Sequence, residues 1–197
     1  MLVVASDNQG KLREILAIFS ALIPGIRVVR ASELDITIDY PPEGNDYAAN
    51  AVGKALAAAK QTGYPAIADD SGVEVDALGG RPGVHSARYA DSDAERISRM
   101  LAELAPWKNA SDRKARFRCV AAIGFPDRRS ITAEGTWEGT IAPAPTGAGG
   151  FGYDPIFVDM DSGRTAAQLS PEEKADRSHR GKALRALAAL YAAQDRG

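Results

Sequence analysis

Cysteine is nearly absent: Cys119 stands alone in 197 residues. No disulfide can form within the chain, and no zinc site built on thiolates is possible. Cys119 lies in the run FRCVAAI, where it reads as a small apolar filler. Histidine is almost as scarce. His85 and His179 are far apart with no partner pattern for a metal. Ser71 has no histidine nearby, which argues against a Ser-His-Asp hydrolase. Neither sign of charge is in excess: 24 basic and 26 acidic side chains leave −2, which argues against a general nucleic-acid binder. A local basic pocket for one small anion is still compatible with that balance. No apolar run approaches the ~18 residues of a membrane span. The stretch MLVVASDNQGK lacks a leader peptide's basic start and longer apolar segment, so a cytoplasmic location is expected. Internal repeats and long low-complexity segments are missing too.

What remains is an ordinary globular composition, 45% hydrophobic and 25% charged. A chain of this length buries about 70% of its unfolded surface and needs no staples. It suits one domain, or one domain with two lobes around a cleft. Leu2 to Ala5 reads as a buried strand, followed by a turn through Ser6, Asp7, Asn8 and Gly10. From Lys11, apolar residues at helical spacing run to Ile23, and Pro24-Gly25 stop the helix. Ile26 to Val29 is a second strand. Asp46 caps an alanine-rich helix that runs to Thr62, with Gly63 as its stop. Pro65 to Ala68 is a strand ending at Asp69 and Asp70, with a separate short strand at Val73 to Val75. Ser92 caps a helix ending near Pro106. Ala115–Phe125 and Ser130–Glu138 read as antiparallel strands, and Ile156 to Val158 as another. Ser170-Pro171-Glu172-Glu173 is a helix start, and Ser178 caps a last helix whose Leu184, Leu187, Leu190 and Tyr191 face the core. The mixture of βαβ-like units and antiparallel strands gives an α/β fold with a mixed sheet.

Four segments carry chemistry. SDNQGK, Ser6 to Lys11, sits between a strand and a helix, where exposed amides and a lysine suit phosphate. It is not a Walker A sequence, and a turn of this kind is also plain capping. IADDSG, Ile67 to Gly72, places two carboxylates at a strand end, where α/β sheets put ligands. Adjacent strand side chains point to opposite faces, so Asp69 and Asp70 have different jobs. One can bind Mg²⁺ or act as base while the other holds the loop. GAGGFGYDPIF, Gly147 to Phe157, spends four glycines around an aromatic, as a loop does where backbone approaches something closely. Phe151 or Tyr153 could stack on a base, and Asp154 could accept hydrogen bonds. EEKADRSHRG, Glu172 to Gly181, clusters Lys174, Arg177, His179 and Arg180 near a helix start, which makes sense if an anion fills the site. Each of the last three segments also has a plainer reading as a turn or a solvated charged face.

Taken together, SDNQGK, NAVGKA, ADDSGVEVDALGGRPGVHSARYA, FRCVAAI, GGFGYDPIF and EEKADRSHRG resemble the Ham1/RdgB family, the inosine/xanthosine triphosphate pyrophosphatases. The resemblance covers nearly the whole chain. It implies one pyrophosphatase domain over residues 1–197, with an elongated mixed β-sheet, flanking helices and two lobes around a deep nucleotide cleft, the Maf/Ham1-like fold. It implies ITP, dITP and XTP as substrates, Mg²⁺ as cofactor, a cytoplasmic homodimer, and no nucleic-acid or membrane partner. By position, Ser6, Asp7, Asn8, Gln9, Gly10 and Lys11 match the family's triphosphate turn, and Lys54 a lysine near the phosphates. Asp70 matches the general base and metal-linked carboxylate, and Ser71 a substrate-contacting serine. Phe151, Gly152, Tyr153 and Asp154 match the base-binding stretch; Lys174, His179 and Arg180 match the remaining nucleotide contacts. The chain departs from the pattern at PPEGNDYAANA: Ala49 replaces an acid before Asn50. There Glu43 directly precedes Gly44, which leaves its match to the metal-ligand glutamate open by one position.

The mechanism implied is attack of water on the α-phosphorus, activated by Asp70 directly or through Mg²⁺. Donors on His179 and Arg180 would donate to a purine 6-carbonyl and be left unpaired by adenine's amine, a mismatch worth roughly 10⁴-fold or more. Guanine shares the 6-carbonyl, so its exclusion needs another contact. The rivals are a phosphohydrolase or kinase acting on the terminal phosphate, and a non-catalytic nucleotide sensor. The paired aspartates argue against the sensor, because bare carboxylates repel a triphosphate unless metal is present.

Overall fold

The computed structural model describes residues 1–6 and 8–194; Asp7 of the first motif lies outside them. Six strands form one open sheet in the order β2-β1-β3-β4-β5-β6. These are β1 (Leu2–Val4), β2 (Val28–Arg30), β3 (Ala66–Val75), β4 (Lys114–Gly124), β5 (Ser130–Ile141) and β6 (Phe157–Asp159). The helices are α1 (Gln9–Leu22), α2 (Tyr47–Thr62), α3 (Asp93–Glu103), α4 (Pro171–Arg177) and α5 (His179–Gln194). β1 pairs in parallel with β2 and β3, as strands joined through helices must. β5 and β6 pair antiparallel. The fold is therefore α/β with a mixed sheet. Among the described residues, no helix is long and apolar enough to cross a membrane.

The chain divides into two compact units: Met1–Asp70, Cys119–Gly135 and the segment from Arg180 form the first, Ser71–Arg118 and Thr136–His179 the second. In the first, Leu2, Val4, Ile67, Ala121 and Ile123 of the strands pack with Ile15 and Phe19 of α1 and Leu184 and Leu187 of α5. Asp46 caps α2 by accepting from the Ala49 amide, and Gly63 ends it at φ 73°, a left-handed turn that suits glycine. Gly124 lies against the α2 backbone: a Cβ there would stand 2.7 Å from the Ala55 carbonyl carbon. Leu190 is 44% exposed, not in the core as its helical spacing suggested. It lies at the margin of the α5 stripe, where Tyr191 takes the inner place.

The second unit packs Met100 of α3 and Leu104 just after it with Trp137, Ile141, Tyr153, Ile156 and Phe157. One of its buried cations is Arg113, which donates to the carbonyls of Ile141 at 2.7 Å, Leu104 at 3.0 Å, Trp107 at 3.1 Å and Ala142 at 3.0 Å. This one guanidinium satisfies four acceptors from two separate segments, 104–107 and 141–142. Replacing it by Met strands them, and unpaired buried acceptors cost more than a hydrogen bond contributes. Arg113→Met is expected to lose about 3 kcal/mol or more in urea unfolding; a loss under about 1 kcal/mol would show that water takes over the contacts.

Candidate active site

β3 is one ten-residue strand, not two short ones. Asp69 and Asp70 therefore sit inside it rather than at its end. Ser71 to Val75 continue the ladder because Gly72 lies so close to the Gly83 carbonyl that any Cβ would collide with it. Alternation along the strand separates the two carboxylates, as the sequence requires.

On the Asp69 side, Oδ2 is 3.0 Å from Lys11 Nζ and 3.1 Å from Arg180 Nε. The carboxylate is fully buried, and the Cys119 thiol lies against it at 3.8 Å. Arg180 Nη1 also donates to Glu14 Oε2 on α1 at 2.7 Å. Burial alone would raise the Asp69 pKa, but the charges of Lys11 and Arg180 outweigh it and hold the carboxyl far below the usual range.

On the Asp70 side, Asn50 Nδ2 donates to Oδ2 at 2.8 Å. Lys54 Nζ stands 3.6 Å from Oδ1 and 2.9 Å from Glu43 Oε1. Asn50 and Lys54 are four residues apart on α2 and so share one face. Asn50 also fixes the preceding loop, accepting from the Gly44 amide at 2.7 Å. Burial dominates at Asp70 and raises its pKa despite Lys54 and Asn50. For Lys54, burial pulls the pKa down, but Asp70 and the Glu43 bond more than offset it and leave it raised.

The turn before α1 serves as a cap. Asn8 Oδ1 accepts from the Lys11 amide at 3.0 Å, and Ser6 Oγ accepts from the Asn8 amide at 3.3 Å. Asn8 and Gln9 are exposed and Gly10 is buried. The first amides of this 14-residue helix and the Lys11 ammonium thus belong to one turn, the arrangement that attracts phosphate.

In the second unit, Asp154 Oδ2 accepts from the Phe151 amide at 2.8 Å and from Lys174 Nζ at 2.6 Å. Lys174 Nζ lies 4.6 Å from the Phe151 ring centroid. Gly150 is needed there, because a Cβ would collide with the Asp154 carboxylate. Of the two aromatics expected to stack on a base, Tyr153 is buried and donates its hydroxyl to the Ser86 carbonyl at 2.9 Å. Phe151 keeps a partly exposed ring. The His179 ring is buried and stacks on Phe117 at 4.6 Å.

Three expectations change. Lys174 and Arg177 lie in the last turn of α4, where the helix dipole favours cations without a bound anion. Arg177 pairs with Asp159 at 3.2 Å. Arg180, expected to read a purine carbonyl, is 3% exposed with Nε and Nη1 directed to Asp69 and Glu14. Asp154 spends Oδ2 on its own loop. The sequence reading overlooked Asn50 and Glu14. Asn50 had a signal in its four-residue spacing from Lys54; Glu14 had none, because only the fold brings α1 to Arg180.

Among the described residues, no three His, Cys, Asp or Glu side chains are grouped to hold a metal. Glu43 and Asp70 are nevertheless two carboxylates converging on one cation, Lys54. That fits Mg²⁺, which takes one or two protein carboxylates and completes its shell with phosphates and water.

An α/β fold with a helix-start turn, two lysines and divided strand carboxylates defines an enzyme class that handles anionic phosphorylated substrates. The chain belongs to the Ham1 family, whose model matches residues 2–190. It is 47% identical to a dITP/XTP pyrophosphatase of Geobacillus kaustophilus over 94% of this chain and 91% of that protein. It is 47% identical to another of that name from Nitratidesulfovibrio vulgaris, covering 100% of this chain and 98% of that one. The structure of a HAM1 protein from Coxiella burnetii superposes with a TM-score of 0.86 at 42% identity, covering 98% of both chains.

The opposite pKa directions give a stability test. Asp69 has a lowered folded-state pKa, so its contribution is present above the ordinary aspartate pKa and lost as pH falls below it. Asp70 has a raised one, so its ionised form costs stability at neutral pH. At pH 7, Asp69→Asn is expected to lose about 3 kcal/mol, because it leaves buried cations without their counter-charge. Asp70→Asn is expected to leave the melting temperature unchanged or higher. Equal losses in the two variants would refute the division.

Proposed function

We propose that this protein hydrolyses non-canonical purine nucleoside triphosphates, dITP, ITP and XTP, to the monophosphate and pyrophosphate, and so keeps deaminated purines out of DNA and RNA. The names of its relatives support the substrate class. The single observation that carries the chemistry is the split on β3: Asp69 is neutralised by Lys11 and Arg180, while Asp70 carries a raised pKa beside Lys54 and Glu43. A carboxylate that keeps proton affinity next to cations is suited to take a proton from water.

In this reading the amides of residues 8–10, with Lys11 and Lys54, bind and orient the triphosphate, and Ser6 and Ser71 donate to it. Asp70 receives the proton of the water that attacks the α-phosphorus, and Asn50 aims the carboxylate. Glu43 and Asp70 would hold Mg²⁺, which when bound would supply charge neutralisation at the phosphate oxygens. Lys54 bridges the same two carboxylates, which keeps its ammonium beside the site where the phosphates would lie. Phe151 stacks on the purine, Lys174 and Asp154 fix its loop, and His179 and Gly152 complete that side. Arg180 acts through Asp69 and not on the base. A cytoplasmic homodimer, with the whole chain acting as one domain, completes the proposal.

The test is a nucleotide panel with and without Mg²⁺, with the products separated. dITP and XTP are expected to give monophosphate and pyrophosphate only with Mg²⁺; diphosphate and phosphate would overturn the reading. Asp70→Asn is expected to lower kcat by about 10³-fold or more while nucleotide binding stays measurable. Near-normal turnover in that variant would remove Asp70 as the base.

A further inference from the structure

The loop that carries Phe151 is held at three successive residues. The Phe151 amide is bound by Asp154, and the Tyr153 hydroxyl by the Ser86 carbonyl. Ser86 is itself fixed, because its hydroxyl accepts from the Val73 amide at 2.9 Å and donates to the Gly83 carbonyl at 2.6 Å. The residue between them, Gly152, has φ +63°, so no side chain anchors this point of the loop. Its amide donates instead to Asp93 Oδ2 at 2.7 Å, across 59 positions of sequence.

Asp93 is built for a fixed bond. It is the first residue of α3, directly after the cap Ser92. Its other oxygen, Oδ1, accepts from Arg96 Nη1 at 2.6 Å, and Arg96 Nε donates to the Ala90 carbonyl at 3.0 Å. The carboxylate is thereby clamped from behind, and Oδ2 points at one amide. That amide lies in the peptide plane leaving Phe151. Holding it fixes ψ of Phe151, and so the direction in which the ring is presented.

We infer that Asp93 is a positioning residue for nucleobase binding: it latches the Gly152 amide and presets the pose of Phe151 before substrate arrives. The inference rests on the reading above, in which Phe151 takes the purine. Preorganisation of this kind lowers the ordering cost of binding and leaves the chemical step alone. Nucleotide affinity should therefore depend on Asp93 while turnover does not.

Asp93→Ala removes the acceptor; Asp93→Asn keeps an acceptor oxygen but loses the charge. Asp93 is half exposed, and Ser92 still caps α3, so both variants are expected to melt with the wild type. Hydrogen–deuterium exchange over residues 150–154 is expected to rise about tenfold in Asp93→Ala and less in Asp93→Asn, the scale of one lost hydrogen bond. KM for dITP is expected to rise about five- to tenfold in Asp93→Ala, with kcat within about twofold. Inhibition by pyrophosphate, which has no base, should stay unchanged. Unaltered exchange at Gly152 would overturn the latch; a fall in kcat at constant KM would overturn the positioning role. If the wild type releases no pyrophosphate from dITP or XTP, the functional reading fails instead, and the exchange measurement still decides the latch.

Discussion

Two adjacent carboxylates inside a buried strand are the constraint on which the rest of the structure depends. Asp69 and Asp70 are both nearly inaccessible to solvent. An isolated buried charge is unfavourable by several kcal/mol, so each needs a separate solution. Strand alternation makes separate solutions possible by sending them to opposite faces. Asp69 receives two cations and becomes a structural anion. Asp70 receives an amide and one more distant, shared lysine, so burial still dominates its proton affinity.

The Asp69 cluster also organises the chain around it. Lys11 and Glu14 lie three residues apart on α1, and Arg180 opens the path of α5. Asp69 and Arg180 thus tie α1 to β3 with paired, buried charges. Lys11 comes from the same turn that starts α1, in which Asn8 and Gln9 are exposed. The geometry of that turn is set by the hydrogen bonds of Ser6 and Asn8 and by the pairing of Lys11 with Asp69. Arg180, which the motif alone offers to a nucleotide, is directed instead to Asp69 and Glu14.

Much of the fold was legible in the sequence. Asp46, Ser92 and Ser170 marked helix starts because capping is a local interaction of a side chain with nearby amides, and Gly63 marked a helix end because it takes a left-handed φ. Opposite roles for Asp69 and Asp70 followed from the period of a strand. What was not legible depended on contacts distant in sequence. The strand read as ending at Asp69 and Asp70, yet it runs on to Val75, and Gly72 has no Cβ to collide with the Gly83 carbonyl. Arg180 and Lys174 read as cations awaiting an anion because their partners, Asp69 with Glu14 and Asp154, lie 20 to 166 positions away. Tyr153 and Phe151 looked equivalent in FGYD; burial of one hydroxyl against Ser86 separates them.

The most direct measurement of this division is the titration of the two carboxyls themselves, followed by carbon NMR of protein labelled at the aspartate carboxyl carbon and assigned with the Asp69→Asn and Asp70→Asn variants. The division requires the two pKa values to split in opposite directions from the ordinary aspartate value of about 3.9, Asp69 below and Asp70 above. Two values on the same side, or Asp70 the more acidic of the pair, would contradict it.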